Sequence, residues 1–524
     1  MALLRSIATV GSYTAASRVL GFIRDILTAA VLGAGPVADA FFVAFRLPNF
    51  FRALFAEGAF SAAFVPMFSG TLAAEGRERA IAFAQQALGV LLFTLLGVVV
   101  AVEIATPWLM FAIAPGFADE PDKLALSIEF TRVTFPYLLF VAVVALQGGV
   151  LNSLNRFAAM AACPILLNLC MITAILSYRP LSEAGLAATA GHTLSWGVAA
   201  AGVAQFVWMV IACHRAGVSL HVHRPRLTKE VRTLLRRMLP GVMGAGVVQV
   251  NLVVSTIIAS FLPTGAVSYL YYADRVNQLP LGVVGIAVGT ALLPLLSRQV
   301  REGARSAALY SQNRALEFAL LLTVPAAAAL IAIGGPIITV LFERGNFGPQ
   351  EAAATVPTLA AFSVGLPAYV LVKVLAPGFF ARGDTATPVR IAIVAMVTNL
   401  VLNLALMVPL QHVGIALGTA LASWVNCGLL GFFLVRRGLI EFDARLKQRV
   451  RGIVLSALGM ALGLVGLSRL LESWLSGPPV HRVSALAALV LTGLLLFAVL
   501  AHVLGATRLQ DLKKAFRPGA AEGA

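Results

Sequence analysis

The chain has 524 residues, 59% of them hydrophobic and only 12% charged, against roughly 25% charged in soluble globular domains. That excludes an ordinary water-soluble fold, and the continuous Leu-, Ala- and Gly-rich runs exclude a membrane barrel, whose strands alternate in polarity. The net charge of +16 could serve nucleic acid, but no aromatic-interleaved basic platform accompanies it, and nucleic acid is set aside as a partner.

In chain order, apolar stretches predict spanning helices near residues 6–32, 37–70, 80–110, 125–153, 159–178, 187–213, 234–262, 266–297, 311–342, 352–380, 388–409, 413–435, 450–471 and 483–506. Each is about long enough to cross a ~30 Å hydrocarbon layer. The first contains Arg18, Arg24 and Asp25, which the apolar core of a cleavable signal would not tolerate, so it is read as a retained helix. Cys163, Cys170, Cys213 and Cys427 lie singly within spans, without metal-ligand spacing, and read as packing residues. Basic residues concentrate in the N-terminus, the even-numbered loops and the C-terminal tail, including 215–237 and 436–451. By the positive-inside rule both termini face the cytoplasm, with these clusters beside anionic headgroups.

The second half echoes the first. Pro136 and Asn168 recur at the same spacing as Pro367 and Asn399, and Leu47-Pro48 is echoed by Leu279-Pro280. An offset of six helices keeps both copies in one orientation, which predicts parallel repeats around a central cavity. The expected architecture is all-α integral membrane: about fourteen transmembrane helices, with two six-helix lobes and two extra C-terminal helices. Residues 1–214 form an N-lobe, 215–233 a cytoplasmic basic linker, 234–436 a C-lobe, 437–506 helices thirteen and fourteen, and 507–524 a cytoplasmic tail.

An ionisable residue at mid-bilayer costs ~2.5–3.5 kcal/mol on insertion scales, so clusters of them call for a reason. Arg18, Arg24, Asp25, Asp39, Arg46, Arg52 and Glu57 all fall in the first two spans, with Asp274 and Arg275 in span eight and Lys373 in span ten. Helical projection puts Arg18 with Asp25 and Asp39 with Arg46, with Glu57 returning near Arg46. Those read as structural pairs, or as arginines snorkelling to headgroups. Arg24 and Arg52 point away from these pairs and, with Arg275, suit an anion in a wet cavity, because guanidinium donates bidentately and stays charged. A pyrophosphate would match several such forks. Asn152, Asn155, Asn168, Asn399, Asn403 and Gln249 read first as interhelical hydrogen-bonding residues. No HExxH, GxSxG, Walker or metal-ligand motif occurs, which argues against an enzyme and an ATP-driven pump.

The run Ser17-Arg18-Val19-Leu20-Gly21-Phe22-Ile23-Arg24-Asp25, then Ala38-Asp39-Ala40-Phe41, Arg46-Leu47-Pro48-Asn49-Phe50-Phe51-Arg52 and Glu57-Gly58-Ala59-Phe60, strongly resembles the MurJ (MviN) family of lipid II flippases. Tyr271-Tyr272-Ala273-Asp274-Arg275 with Leu279-Pro280 is similar to that family's eighth helix. The resemblance implies a two-lobed transporter of the bacterial cytoplasmic (inner) membrane that moves lipid II, the undecaprenyl-diphosphate-linked peptidoglycan precursor, to the periplasmic leaflet by alternating access. It implies substrate binding by Arg18, Arg24, Arg52 and Arg275, gate or cavity roles for Asp25, Asp39, Asn49 and Glu57, and a groove for the lipid tail in helices thirteen and fourteen.

It also implies a possible ion site at Ser255, Asn399, Asn403 and Thr419. Some members place carboxylates there, whereas all four residues here are neutral. Sodium prefers hard, anionic oxygen, so membrane potential is at least as good a coupling force as a monovalent ion, and no cofactor is expected. Partners would be lipid II, membrane lipids and cell-wall synthases. The competing readings are an exporter of another undecaprenyl-linked oligosaccharide or of drugs, a membrane enzyme, and a non-transporting scaffold.

Overall fold

Long apolar sequence with few turn residues folds as helix, because a backbone in lipid must satisfy its own polar groups. The computed structural model describes residues 2–55, 59–178 and 186–507, and among them there is no β-strand, only an isolated bridge between Arg344 and Phe347. The helices are α1 (Ala2–Leu32), α2 (Pro36–Phe55), α3 (Ala59–Ile113), α4 (Pro121–Thr134), α5 (Tyr137–Ser153), α6 (Ala158–Ser177), α7 (Leu186–Arg215) and α8 (Lys229–Ser260). They continue with α9 (Ala266–Arg301), α10 (Arg305–Ala332), α11 (Gly334–Phe342), α12 (Pro349–Phe380), α13 (Ala386–Arg436), α14 (Ala444–Leu470), α15 (Glu472–Leu475) and α16 (Pro479–Val503).

Two of these are pairs of arms. α3 breaks at Gly76, whose φ of 84° suits glycine, and α13 breaks at Gln411, with φ 49° and ψ −130° just beyond Pro409. Both breaks fall where the hydropathy pattern ends one span and begins the next. Nine helices among the described residues are long and apolar enough to cross a bilayer. α1 and α2 fall outside that set, and both carry charge well inside the helix: Arg18, Arg24 and Asp25 in one, Asp39, Arg46 and Arg52 in the other.

The chain forms two compact units, Met1–Ser268 with Arg344–Phe347, and Tyr269–Glu343 with Gly348–Ala524. The core of the first is an aromatic ladder in α3, where Phe64 stacks on Phe60, Phe68 and Phe83 at ring separations of 5.1, 5.7 and 5.6 Å. Val144, Leu146 and Leu151 of α5, Met209 of α7 and Leu234 of α8 close around it. The first unit runs through Ser268, and within it α8 packs on α3. Its apolar face, Val231, Leu234 and Met238, is buried.

The second unit centres on Leu316 and Ala319 of α10, Val370, Val374 and Phe379 of α12, and Leu430 and Leu434 of α13. The two arms of α13 cross closely at Gly414 and Gly418; a Cβ at Gly418 would run into Asn403 Oδ1. Small residues give the same intimacy to α14 and α16, where Gly459, Gly463 and Gly493 face Leu500, Leu496 and Leu464. α14 docks on α10 through charge: Glu317, nearly buried, receives Arg314, Arg445 and Arg449, and Arg314 also pairs with Asp443. In the turn before α13, Asp384 accepts from the Thr387 amide at 2.9 Å and from Arg437 at 2.6 Å. The Thr387 bonds, aided by Arg437, depress its carboxyl to about 2. All four cysteines are free thiols.

Candidate functional site

Helix α1 carries the first cluster. Arg24 is 7% exposed and Asp25 3% exposed in an otherwise apolar helix. The guanidinium donates from Nε and Nη2 to Asp25 Oδ1 at 3.1 and 2.7 Å, and from Nη1 to Asn168 Oδ1 of α6 at 3.0 Å. Asn168 in turn donates to the Ser17 carbonyl at 2.9 Å, which fixes its amide orientation and ties α6 to α1. This differs from helical projection, which pairs Asp25 with Arg18 one face along. Adjacent Arg24 curls back onto Asp25 because Asn168 offers it a second acceptor, and Arg18 is left exposed. Asn168 is therefore an interhelical residue that also positions a buried cation.

The first turn of α2 carries Asp39, 1% exposed. The sequence pairs it with Arg46; the structure surrounds it instead with Lys123 Nζ at 3.3 Å, the Gly265 and Ser268 amides at 2.7 and 2.9 Å, and the Ser268 hydroxyl at 2.6 Å. Lys123, itself 2% exposed, also donates to Glu120 at 3.2 Å and Thr264 at 3.2 Å, and lies 4.3 Å from the centroid of Phe117. Two donated amides at the opening of α9 give this carboxylate the role of a helix cap supplied from another helix. Lys123 escaped the sequence reading because it stands just ahead of the fourth apolar run. Its only signal was a lone cation beside Glu120 and Asp122 at a predicted helix start.

Further along α2, Asn49 donates to the Phe45 carbonyl at 3.1 Å and accepts from Arg52 Nε at 3.3 Å, so Asn49 aims a half-buried guanidinium three residues on. Arg46 is also half-buried. Glu57 lies outside the described residues.

In the second unit, Arg275 is held on α9 by its own neighbours. Its guanidinium sits 4.6 Å from the Tyr271 ring centroid and donates to Gln278 Oε1 at 3.4 Å, while Gln278 donates to Asp274 at 2.5 Å. Gln278 thus bridges the cation and the carboxylate.

The proposed ion ligands divide between the units. Ser255 belongs to the first. The other three form a ladder joining the two arms of α13: Asn403 donates to Asn399 at 3.1 Å, Asn399 to Thr419 at 3.2 Å, and Thr419 to the Ile415 carbonyl at 2.9 Å. Asn399 and Asn403 are almost wholly buried. Asn168 and Asn399, which stand at equivalent places in the sequence echo, therefore take different partners, one an arginine and the other a hydroxyl.

The chain has known relatives. The family described as lipid II flippase MurJ matches residues 28–483. A protein of Rhizobium meliloti (strain 1021) named "Probable lipid II flippase MurJ" is 44% identical over 99% of this chain and 97% of its own length. The protein of Burkholderia cenocepacia named "Lipid II flippase MurJ" is 33% identical over 95% and 97%. Among solved structures, a lipid II flippase MurJ in an inward closed conformation superposes with a TM-score of 0.79 at 24% identity, covering 96% of this chain and 99% of that one. An inward-facing multidrug resistance MATE transporter of the MOP superfamily does so at 0.67 and 14% identity, covering 82% and 95%. Full-length matches above 30% identity, together with ionisable residues buried in apolar helices, place this chain in the MurJ lipid II flippase family.

Proposed function

We propose that this chain is a lipid II flippase of the bacterial inner membrane: a transporter, not an enzyme, that carries the undecaprenyl-diphosphate-linked peptidoglycan precursor to the periplasmic leaflet by alternating access for cell-wall synthesis. The carrying observation is that a relative named as a lipid II flippase matches 99% of this chain, which retains arginines in apolar helices, where each costs kilocalories. In this reading Arg18, Arg24, Arg52 and Arg275 bind the diphosphate, whose paired oxyanions suit planar guanidinium forks. Asp25 holds Arg24 between ligands, Asn49 aims Arg52, and Asp39 and Glu57 serve the gate. Fourteen crossings with both termini cytoplasmic follow from the hydropathy and charge pattern. The neutral ladder Asn399, Asn403 and Thr419, with Ser255, favours membrane potential over sodium as the driving force. Cell-wall synthases are the expected protein partners.

The test is leaflet-resolved labelling of lipid II in cells whose own copy is replaced by Arg24→Ala or Arg275→Ala. At normal protein levels, both variants should leave lipid II on the cytoplasmic side. Periplasmic labelling at the wild-type rate refutes the diphosphate assignment. Loss of a surface polysaccharide with normal lipid II labelling would instead identify an exporter of a different undecaprenyl-linked oligosaccharide.

A further inference from the structure

Helix α1 is finished by a distant part of the chain. Gly33, with φ 65°, turns the backbone out of the helix and donates its N–H to the Ala29 carbonyl at 2.8 Å. The last carbonyls of a helix lack donors of their own. Here those of Ala30 and Val31 are both taken by Asn346, 315 residues beyond Val31: its backbone N–H donates to Ala30 at 2.8 Å and its Nδ2 donates to Val31 at 2.6 Å.

The contact is backbone against backbone. A Cβ at Gly345 would lie 2.2 Å from the Ala30 carbonyl oxygen, and one at Gly33 would lie 2.4 Å from that of Asn346, so a side chain at either would push the two apart. Both glycines also have positive φ. Arg344–Phe347 keeps a turn of its own, with the Phe347 N–H donating to the Arg344 carbonyl at 3.2 Å. Phe347 is buried, whereas Asn346 is exposed.

The residues on either side are anchored elsewhere. Glu343 accepts from Arg482 in the first turn of α16 at 3.1 Å, and Arg482 also donates to the Gly477 carbonyl at 2.9 Å. Beyond the turn, the Gly348 N–H donates to Glu351 at 2.9 Å, which closes the start of α12. The four residues Arg344–Phe347 can therefore leave α1 without loosening α11 or α12. Because Asn346 is exposed, water can replace its partners at small cost, and each bond shifts the docked-to-free ratio by only roughly 2- to 12-fold. The cap that Asp39 gives α9 is built otherwise, around a carboxylate 1% exposed.

We infer that Arg344–Phe347 is a releasable strap on the end of α1, docked in this structure and detached in each transport cycle, with Asn346 as the positioning residue that sets its hold. Arg24 lies six residues before Ala30 on the same helix, so docking steadies the proposed diphosphate-binding guanidinium and release frees its helix to move. The inference rests on the transport function proposed above, whose orientation puts this end of α1 at the periplasmic face.

Full-length protein carrying Val31→Cys with Asn346→Cys, bridged by a short reducible bis-methanethiosulfonate, tests the release. In proteoliposomes the bridged protein should cease to move labelled lipid II, and reductant should restore the rate of the unbridged double variant. Each single variant should keep its own rate after the same treatment. A second measurement needs no lipid II. Asn346→Ala removes the side-chain bond and keeps the backbone N–H, so hydrogen exchange of the amide at position 346 should quicken roughly 2- to 12-fold. Transport by the bridged protein at the unbridged rate overturns the inference, because the cap would then be a static fastening. So does an exchange rate unchanged by Asn346→Ala, which would mean that Asn346 does not set the hold. If wild type itself moves no lipid II, the proposed function is what fails, and the exchange rates still decide whether Asn346 holds the strap.

Discussion

Removing Lys123 should be among the most damaging single changes in the first unit. The Lys123 and Asp39 side chains are 2% and 1% exposed and 3.3 Å apart, and breaking a buried pair from one side costs about 3–5 kcal/mol because it strands the other charge. Asp39 would keep three neutral donors, from Gly265 and Ser268, which places Lys123→Met near the lower bound, about 3 kcal/mol. Asp39→Asn should cost less, since Lys123 retains Glu120, Thr264 and the Phe117 ring. The double variant removes both charges, while the side-chain amide introduced on α2 can still accept from the backbone N–H groups at the opening of α9. It should therefore recover about 2 kcal/mol relative to the sum of the single changes. Unfolding free energies in mixed micelles, measured for wild type, both single variants and the double, give the coupling directly. Additivity within about 0.5 kcal/mol would refute the account of Asp39 and Lys123 as one charge pair.

Three further outcomes follow from other parts of the fold. Gln411→Gly, at the positive-φ break of α13, should stabilise the protein by about 1 kcal/mol by relieving a conformation that a Cβ disfavours; thermal midpoints decide it, and a lower midpoint would contradict it. Asp384 has its carboxyl depressed from 3.8 to about 2, so its stabilising contribution is complete above about pH 4 and is lost as pH falls towards 2. Asp384→Asn should flatten that acid limb of the melting temperature, and an unchanged limb would show that Asp384 does not contribute to it. Glu317→Gln leaves Arg314, Arg445 and Arg449 around a neutral amide and should cost about 3 kcal/mol or more in mixed-micelle unfolding, with a loss under 1 kcal/mol counting against charge as the α10–α14 fastener.

Two of the span boundaries were legible because they depend on local chemistry. Gly76, and Gln411 after Pro409, end apolar runs at positions where the backbone also breaks. The ion pairs were not legible, because a projection knows only one helix. Asp25 takes Arg24 rather than Arg18 once Asn168 arrives from α6, and Asp39 takes Lys123 rather than Arg46 once α4 packs beside α2. The neighbour of α8 was not legible for a similar reason: the apolar face formed by Val231, Leu234 and Met238 says that the helix packs, not against which helix. Asn399 of α13 did behave as an interhelical bonding residue, reaching Thr419 on the other arm.

Arg24 has Asp25 and Asn168 on its fork at rest. Under the diphosphate role proposed for Arg24, an incoming oxyanion would exchange partners rather than meet a bare cation, and would gain only the difference between two sets of contacts. That would keep the complex shallow and leave Asp25 placed to reclaim the guanidinium on departure. A carrier gains from such reversibility, since a ligand held too well at one surface would never be delivered to the other.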